Sequence, residues 1–239
     1  MYQEDPAWED IIPLPQDDGD KPLAQIAYTE EYAETMSYLR AIMAKEEYSA
    51  RALTITEHVT EMNPAHYTVW FLSPSLPLSA CDVACERDAD VVVGTAGRRL
   101  YRAKCIFALS HDLRQEIAYL NGKALRHEKN YQIWHHRQLI MDKLGDPTGE
   151  AEFIAKMFEK DSKNYHVWSY RQWLVRRFDL WEKGEIEYIE TLLAKDVKNN
   201  SAWNHRFFIV FGRGGEVDMD VVEREIKYVG AGDWTTGPR

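Results

Sequence analysis

The feature that most constrains this fold is a short segment that recurs three times. "NYQIWHHR" (130–137), "NYHVWSYR" (164–171) and "NNSAWNHR" (199–206) each read as Asn, three residues, Trp, two residues and Arg. Successive tryptophans in these copies are 34 and then 35 residues apart. That period is the length of a two-helix unit, so the pattern predicts a stack of helix pairs.

A helix with an apolar stripe is predicted before each copy. Two apolar positions keep the same spacing, namely Leu120, Ile154 and Ile189 at one and Ala124, Phe158 and Leu193 at the other. The polar turns "DSKN" and "DVKNN" follow, and we predict that Asn164 and Asn200 cap the second helix. The predicted fold is therefore all-α, a right-handed α-α superhelix or solenoid of antiparallel helix pairs.

The recurring Trp and Arg lie three residues apart, which places them on one face of the second helix. We expect the Trp side chains to fill the interface between stacked units. The Arg side chains are expected to bind carbonyl or carboxylate groups of a neighbouring unit. The residues given this structural role are Trp70, Trp134, Arg137, Trp168, Arg171, Trp203 and Arg206.

An earlier copy of the repeat is interrupted. "NPAHYTVW" supplies Asn63, Tyr67 and Trp70, but no Arg stands three residues after that Trp. When residues 71–99 are left out, Arg102 completes the pattern, and Trp70 precedes the next repeated Trp by 35 residues. We therefore interpret these 29 residues as an insertion into a second helix.

Two origins are open for this insertion. Pro74 and Pro77 cannot continue a helix, and 29 codons preserve the reading frame, so a retained intron or an error in the gene model is the favoured hypothesis. The alternative is a genuine loop that leaves the solenoid. Sequencing the mature transcript across codons 70 to 100 distinguishes them, because a dominant message that contains the segment contradicts the first.

The predicted organisation has four parts. Residues 1–25 form an acidic, largely irregular N-terminal segment, and the helical-repeat domain comprises residues 26–70 and 100–229. Residues 71–99 are the irregular insertion. Residues 230–239 form an atypical, truncated tail, because "VDMDVVEREIKYV" resembles the first helix of a further unit but no turn and Trp of the expected kind follow.

Composition narrows the class of protein. The formal net charge is −10 and the pI about 5.3, so the chain as a whole repels polyanions and we predict no nucleic-acid partner. No apolar run approaches the roughly 18 residues of a membrane span. The first twenty residues contain seven acids and no Lys or Arg, unlike a signal peptide. With three cysteines, Cys81, Cys85 and Cys105, this favours reduced thiols and a cytoplasmic location.

The repeat, together with "WEDIIPLPQDDG" and "PLAQIAYTEEY" near the start, resembles the α subunit of the heterodimeric protein prenyltransferases. That subunit is shared by protein farnesyltransferase and protein geranylgeranyltransferase type I. The resemblance covers residues 8–70 and 100 to about 229. Tetratricopeptide repeats share the period but not the Trp-x-x-Arg pattern, and the N-terminal segment makes the Rab prenyltransferase α subunit a poorer match.

The resemblance implies an enzyme made of two different subunits. The α subunit is expected to wrap around a β subunit, and the pair transfers a farnesyl or geranylgeranyl group from its diphosphate to the cysteine of C-terminal CaaX proteins. Zinc is implied on the β subunit and Mg²⁺ in the assembled enzyme, whereas no metal or cofactor is expected on this chain. "HH" at 135–136 does not predict a metal site, because adjacent helix positions point in different directions.

The resemblance also implies a set of site residues. Lys129 matches the lysine that contacts the diphosphate, Gln132 matches the residue that holds the terminal carboxylate of the CaaX peptide, and His166 matches a further contact beside the diphosphate. The catalytic residues implied are Lys129, Tyr131 and His166, and the substrate-binding residues implied are Gln132, Asn164 and Tyr165.

Cleavage of an allylic diphosphate leaves negative charge that an ammonium group at the leaving group stabilises. Basic residues are frequent at or beside the starts of the second helices, which predicts a local basic stripe suited to one small anion. The stripe would comprise Lys129, His135, His136, Arg137, Lys163, His166, Arg171, His205 and Arg206. Two alternatives stay open, a non-enzymatic repeat scaffold that binds proteins and an inactive, truncated isoform of the subunit.

Overall fold

The structure is a computed structural model that describes residues 1–17, 19, 26–70, 100–214 and 218–231. Within these residues all regular structure is helical, which confirms the predicted all-α fold. The α-helices are α1 (Glu30–Ala44), α2 (Ala50–Met62), α3 (Tyr67–Trp70), α4 (Tyr101–Ala108), α5 (Leu113–Arg126), α6 (Tyr131–Leu144), α7 (Glu150–Lys160), α8 (Tyr165–Arg177), α9 (Glu185–Lys195), α10 (Asn200–Phe211) and α11 (Met219–Ala231).

Two expectations concern residues outside this description. The predicted insertion, residues 71–99 with Cys81 and Cys85, lies wholly outside the described residues, and so do residues 232–239 of the predicted tail. The remaining cysteine, Cys105, is a buried free thiol on α4.

The chain forms two compact units, Met1–Leu144 and Gly145–Arg239. The first contains α1 to α6, and the second contains α7 to α11. In each unit short turns join a first helix to a second helix, and such short connections make the two helices antiparallel neighbours. The apolar stripe predicted for α7 is buried, with Phe153, Ile154, Met157 and Phe158 all in the core.

A side chain of α2 fixes the N-terminal segment of the first unit. Short 3₁₀ helices at Tyr2–Glu4 and Pro6–Trp8 begin the chain, and the Trp8 side chain is buried. Arg51 of α2 holds this segment by a bidentate ion pair with Asp10, at 2.6 and 2.8 Å. The segment predicted to be largely irregular is therefore fixed by specific contacts where the structure describes it.

In the three complete repeats, each second helix starts at an asparagine side chain. Asn164 accepts a hydrogen bond from the backbone amide of His166 at 2.9 Å, which confirms the predicted cap of α8. For α10 the prediction of Asn200 is wrong, because Asn199 accepts from the amides of residues 201 and 202 and Asn200 is the first helical residue. Both residues are Asn, so the sequence alone left their order ambiguous.

The repeated tryptophans bind the turn that precedes their own helix. In every copy the indole N–H donates to the carbonyl six residues earlier: Trp70 to Pro64 (3.0 Å), Trp134 to Glu128 (3.2 Å), Trp168 to Ser162 (2.8 Å) and Trp203 to Val197 (2.8 Å). The rings also pack between repeats. Trp70 contacts His136 at 4.8 Å, and Trp168 contacts His205 at 5.0 Å between ring centroids.

The capping asparagines also bind the turn of the preceding repeat. Asn130 donates its amide N–H to the Pro64 carbonyl at 2.7 Å, and Asn199 donates to the Ser162 carbonyl at 3.3 Å. These are the carbonyls that Trp70 and Trp168 also bind. One carbonyl therefore ties together two consecutive repeats.

Two of the repeated arginines pair with a buried glutamate at the start of the next first helix. Arg102 binds Glu116 through two hydrogen bonds of 2.8 and 2.6 Å, and Arg171 binds Glu185 at 2.8 and 2.9 Å. In both pairs the glutamate follows the arginine by 14 residues. The last repeat differs, because Arg206 binds Glu225 of α11, which follows it by 19 residues.

The same glutamates accept a hydrogen bond from the second helix of their own pair. His136 donates to Glu116 at 2.9 Å and His205 donates to Glu185 at 2.8 Å, each from 20 residues further along the chain. Tyr170 makes the corresponding contact with Glu150 at 2.6 Å. Glu116 and Glu185 therefore each link three consecutive helices.

The interrupted copy makes the contacts of an ordinary repeat. Trp70 ends α3, Arg102 lies in α4, and their contacts to Pro64 and Glu116 match those of Trp168 and Arg171. Asn63, however, is not the capping residue of this copy. It precedes Trp70 by seven residues, as Asp161 and Asp196 precede their own tryptophans, and His66 stands in the cap position.

Replacement of Glu185 by alanine is expected to lower the free energy of unfolding by about 3–5 kcal/mol, because it leaves the buried Arg171 unpaired. Glu187→Ala is the matched control, since Glu187 is an exposed acid of the same helix turn. Its expected effect is within about 0.5 kcal/mol. Chemical denaturation of both variants measures the difference, and equal losses would contradict a structural role for the pair.

Stability is also expected to depend on pH through Glu116. Burial would raise the pKa of this carboxyl, but hydrogen bonds from His136 and Arg102 outweigh burial and lower the pKa to about 2. The stabilisation is therefore complete above the ordinary pKa of 4.5 and is lost as the pH falls towards 2. Thermal unfolding from pH 6 to pH 2 should show a shallower decline for Glu116→Gln than for the unsubstituted chain, by about 3 kcal/mol in total. Parallel curves would show that this carboxyl does not carry the dependence.

Candidate functional site

The predicted diphosphate lysine lies in the turn between α5 and α6. Residues 127–130 form this turn, which is closed by a hydrogen bond from the Asn130 amide to the His127 carbonyl at 3.0 Å. The Asn130 side chain then accepts from the backbone amide of Gln132 at 3.0 Å and so caps α6. Lys129 is exposed immediately before this cap, where the amides of the helix start face an approaching anion.

Three of the predicted site residues line one shallow depression in the first unit. It has a volume of about 640 Å³ and is lined by Asn63, Pro64, Ala65, Arg126, His127, Glu128, Lys129, Asn130, Tyr131 and Gln132. The Lys129 ammonium makes no ion pair with any residue that the structure describes. The Tyr131 side chain is 48% exposed beside it.

The electrostatics of this depression favour an anion. Arg126 and Lys129 lie on its rim, opposed by one carboxylate, that of Glu128. Burial and the charges of Arg126 and Lys123 lower the pKa of His127, so its imidazole is neutral at pH 7. A neutral imidazole and two cations suit a small negatively charged group more than a cation.

Gln132 is held at the floor of the depression. Its side chain is only 7% exposed, and its amide nitrogen donates to the Ala65 carbonyl at 3.4 Å. A carbonyl only accepts hydrogen bonds, so the NH₂ group of the amide must face Ala65. One N–H and the amide oxygen are then left for a bound group.

The other three predicted site residues lie in the second unit. Asn164 is buried and caps α8, and Tyr165 is 72% exposed beside it. His166 is half-buried, its ring meets that of Tyr165 edge-on at 5.7 Å, and burial lowers its pKa. These three are therefore adjacent on the first turn of α8, as Tyr131 and Gln132 are on α6.

A second, smaller depression lies in this unit. It has a volume of about 170 Å³ and is lined by Lys163, Tyr165, Trp168, Ser169, Gln172, Ser201 and Asn204. Lys163 is paired there with Asp196 at 2.9 Å, unlike Lys129. His166 is not among its lining residues.

The prediction of a local basic stripe is wrong for five of its nine residues. His136, Arg137, Arg171, His205 and Arg206 are buried. Four of them bind glutamates, and Arg137 donates to the Asn121 side chain at 2.8 Å. Their charges serve contacts between helices. The exposed cations at the starts of second helices are those of the turns, such as Lys129 and Lys163.

Sequence reasoning missed one wall of the larger depression. The turn at residues 63–66, between α2 and α3, supplies the carbonyls of Pro64 and Ala65 that bind Asn130 and Gln132. The signal was present in the repeat, because the corresponding turns at 161–164 and 196–199 each precede a second helix. Aligning Asn63 with the capping asparagines hid this correspondence.

The described residues contain neither a candidate metal site nor a membrane-spanning helix. No cluster of three or more His, Cys, Asp or Glu side chains there could hold a metal ion. None of the helices in the described part of the chain is long and apolar enough to span a membrane.

Three stretches of the chain match the family described as protein prenyltransferase alpha subunit repeat. They are residues 113–144, 147–178 and 183–212. Each stretch contains one helix pair, α5 with α6, α7 with α8 and α9 with α10. The matched units therefore coincide with the pairs that the structure shows.

The known proteins reported below as similar in sequence share one name. The chain is 41% identical over 131 residues to the protein farnesyltransferase/geranylgeranyltransferase type-1 subunit alpha of Schizosaccharomyces pombe, covering 55% of this chain and 35% of that protein. It is 35% identical over 180 residues to the subunit of the same name from Candida albicans, and this match covers 72% of this chain and 50% of that protein. The chain thus spans between a third and a half of the length of these relatives.

A solved structure has the same fold. A chain of Candida albicans protein geranylgeranyltransferase-I complexed with GGPP superposes with a TM-score of 0.74 at 34% sequence identity. The match covers 93% of this chain and 67% of that one. The repeat family, the sequence relatives and the solved structure therefore all indicate the same family.

Proposed function

This chain belongs to the family of protein prenyltransferase alpha subunits, and on that premise we propose that it is the α subunit of a heterodimeric protein prenyltransferase. With a β subunit it would transfer a farnesyl or geranylgeranyl group from its diphosphate to the cysteine of C-terminal CaaX proteins. The enzyme would act in the cytoplasm.

One observation carries the proposal. Lys129 presents an exposed ammonium group without an ion-pair partner among the described residues, one residue before the cap of α6. Tyr131 and Gln132 lie in the same depression. A cation, a phenol and an amide beside a helix N-terminus make a suitable surface for a diphosphate and a carboxylate.

The chemistry assigns each group a task. The cysteine thiolate of the acceptor would form a bond to C1 of the prenyl chain while the C–O bond to the diphosphate breaks. Negative charge then grows on the diphosphate, where Lys129 stabilises it most strongly in the transition state. The Tyr131 hydroxyl, 48% exposed at the same edge, would donate a hydrogen bond to the departing oxygens.

Gln132 would bind the other substrate. A terminal carboxylate accepts hydrogen bonds only, and the Gln132 amide has one N–H free once Ala65 is satisfied. We propose that this N–H holds the carboxylate of the CaaX peptide. His166 is proposed as a further contact of the diphosphate, with Asn164 and Tyr165 as neighbouring binding residues.

Metal chemistry belongs to the partner in this proposal. Zinc would be held by the β subunit and would activate the cysteine thiol, and Mg²⁺ would accompany the diphosphate in the assembled enzyme. The described residues of this chain offer no ligand cluster that fits either ion. We therefore assign no step to a metal held here.

Lys129→Ala is expected to lower kcat of the heterodimer by about 10²-fold, because one charge-stabilising donor is lost from the transition state. Association with β should be unchanged. Lys198→Ala is the matched control, since Lys198 is also exposed and also precedes a capping asparagine, Asn199. Steady-state kinetics and gel filtration of both variants test this. Equal loss of association and turnover would contradict the assignment.

Co-expression with the β subunit of the same organism is expected to yield a 1:1 complex on gel filtration. The reason is that Trp70 and Arg102 retain the repeat contacts on either side of residues 71–99. A version with Trp70 joined to Leu100 is the control. Complex formation by that version alone would identify this chain as a defective isoform, and failure of both would favour the scaffold alternative.

A further inference from the structure

The contact between Gln132 and Ala65 is an addition to the general repeat pattern. Asn130 and Asn199 both bind the preceding turn, so that contact belongs to the repeat. Ser201 stands where Gln132 does, two residues after its asparagine, but it makes no side-chain hydrogen bond to the Lys163 carbonyl in the described part of the second unit. The orientation of the Gln132 amide therefore depends on a contact that the fold does not otherwise need.

The Ala65 carbonyl is fixed by Asn63. The Asn63 side chain accepts a hydrogen bond from the Ala65 amide at 3.1 Å, and the Asn63 carbonyl accepts one from the His66 amide at 3.0 Å. The peptide groups on both sides of Ala65 are thus tied to one residue. Asn63 is itself anchored, because its amide donates to the Val59 carbonyl of α2 at 2.8 Å.

We propose that Asn63 is a positioning residue for the Gln132 amide and, through it, for the terminal carboxylate of the peptide substrate. The inference rests on the function proposed above for Gln132. Loss of the Asn63 side chain frees the Ala65 amide and so loosens the turn that carries the Ala65 carbonyl, which leaves the Gln132 amide without a rigid acceptor to aim its free N–H at the carboxylate. Lys129 makes no hydrogen bond to the turn at 63–66 among the described residues, so binding of the prenyl diphosphate is expected to change less.

The repeat supplies both a rescue and a control. Asp161 and Asp196 occupy the position of Asn63 in the other turns, and each accepts the amide two residues on at 3.0 Å. A carboxylate oxygen therefore replaces the Asn63 oxygen without changing the turn, and Asn63→Asp should regain the thermal stability that Asn63→Ala loses. Asp196→Ala removes the same turn contact, together with the exposed ion pair to Lys163, before a helix with no assigned site residue.

The test uses the heterodimer and two peptide substrates that differ only in a C-terminal carboxylate or carboxamide. Asn63→Ala is expected to raise KM for the carboxylate peptide about five- to tenfold, the effect of weakening one hydrogen bond to a charged group. KM for the carboxamide peptide, KM for the prenyl diphosphate and kcat should change less than twofold. Asn63→Asp should restore thermal stability, and Asp196→Ala should leave the ratio of the two peptide KM values unchanged.

Two outcomes would overturn the inference in distinguishable ways. If the unsubstituted heterodimer transfers a prenyl group but Asn63→Ala alters the two peptide KM values by the same factor, Asn63 has a structural role only and the proposed function stands. If the unsubstituted heterodimer transfers nothing to either peptide, the proposed function fails and the inference fails with it. Thermal unfolding of Asn63→Ala and Asp196→Ala, expected to fall equally, separates the loss of the turn from the loss of peptide affinity.

Discussion

A buried carboxylate shared between consecutive helix pairs is the interaction on which the rest of this structure depends. Glu116 and Glu185 each accept hydrogen bonds from an arginine of the preceding unit and from a histidine of their own unit. The arginine also lies over a tyrosine ring, at 4.4 Å for Arg102. Such a pair adds little net stability compared with apolar packing, but any other register leaves a charge buried and unpaired. It therefore selects one register for each helix pair.

Because these residues carry the packing, the remaining positions of each turn are released for chemistry. The Asn, Trp, Arg and Glu positions recur, and their side chains cap helices or make contacts between helices. The residue before the asparagine is Lys in all three complete copies, whereas the two residues after it vary and are Tyr131 and Gln132 in one copy. A turn whose backbone is held from two sides can present such side chains without paying further ordering entropy. Such a turn can therefore carry the proposed site residues without disturbing the contacts between repeats.

The sequence was sufficient to predict the fold, whereas the site residues stay a prediction. The period and the apolar stripes predicted helix pairs, because burying one face of a helix leaves a regular signature. The buried glutamates escaped detection, since acids are common in first helix turns for a different reason, their favourable interaction with the helix dipole. The predicted basic stripe was wrong at its buried positions for a related reason: composition shows that His136 and Arg171 are basic, but not that they are buried and bound to a carboxylate of another helix. The Asn199 cap and the register of Asn63 required backbone geometry.

Burial of the guanidinium–carboxylate pairs also decides how the molecule responds to dissolved ions. At physiological ionic strength, exposed charges more than roughly 8 Å apart are screened from one another, whereas pairs withdrawn from water are screened much less. Salt therefore screens mainly the exposed charges, which are the surface pairs such as Arg213 with Glu182 and the excess of surface acids. The buried pairs at Glu116 and Glu185 are screened much less. Ionic strength thus acts on encounters between this acidic surface and other molecules while the register between helix pairs persists.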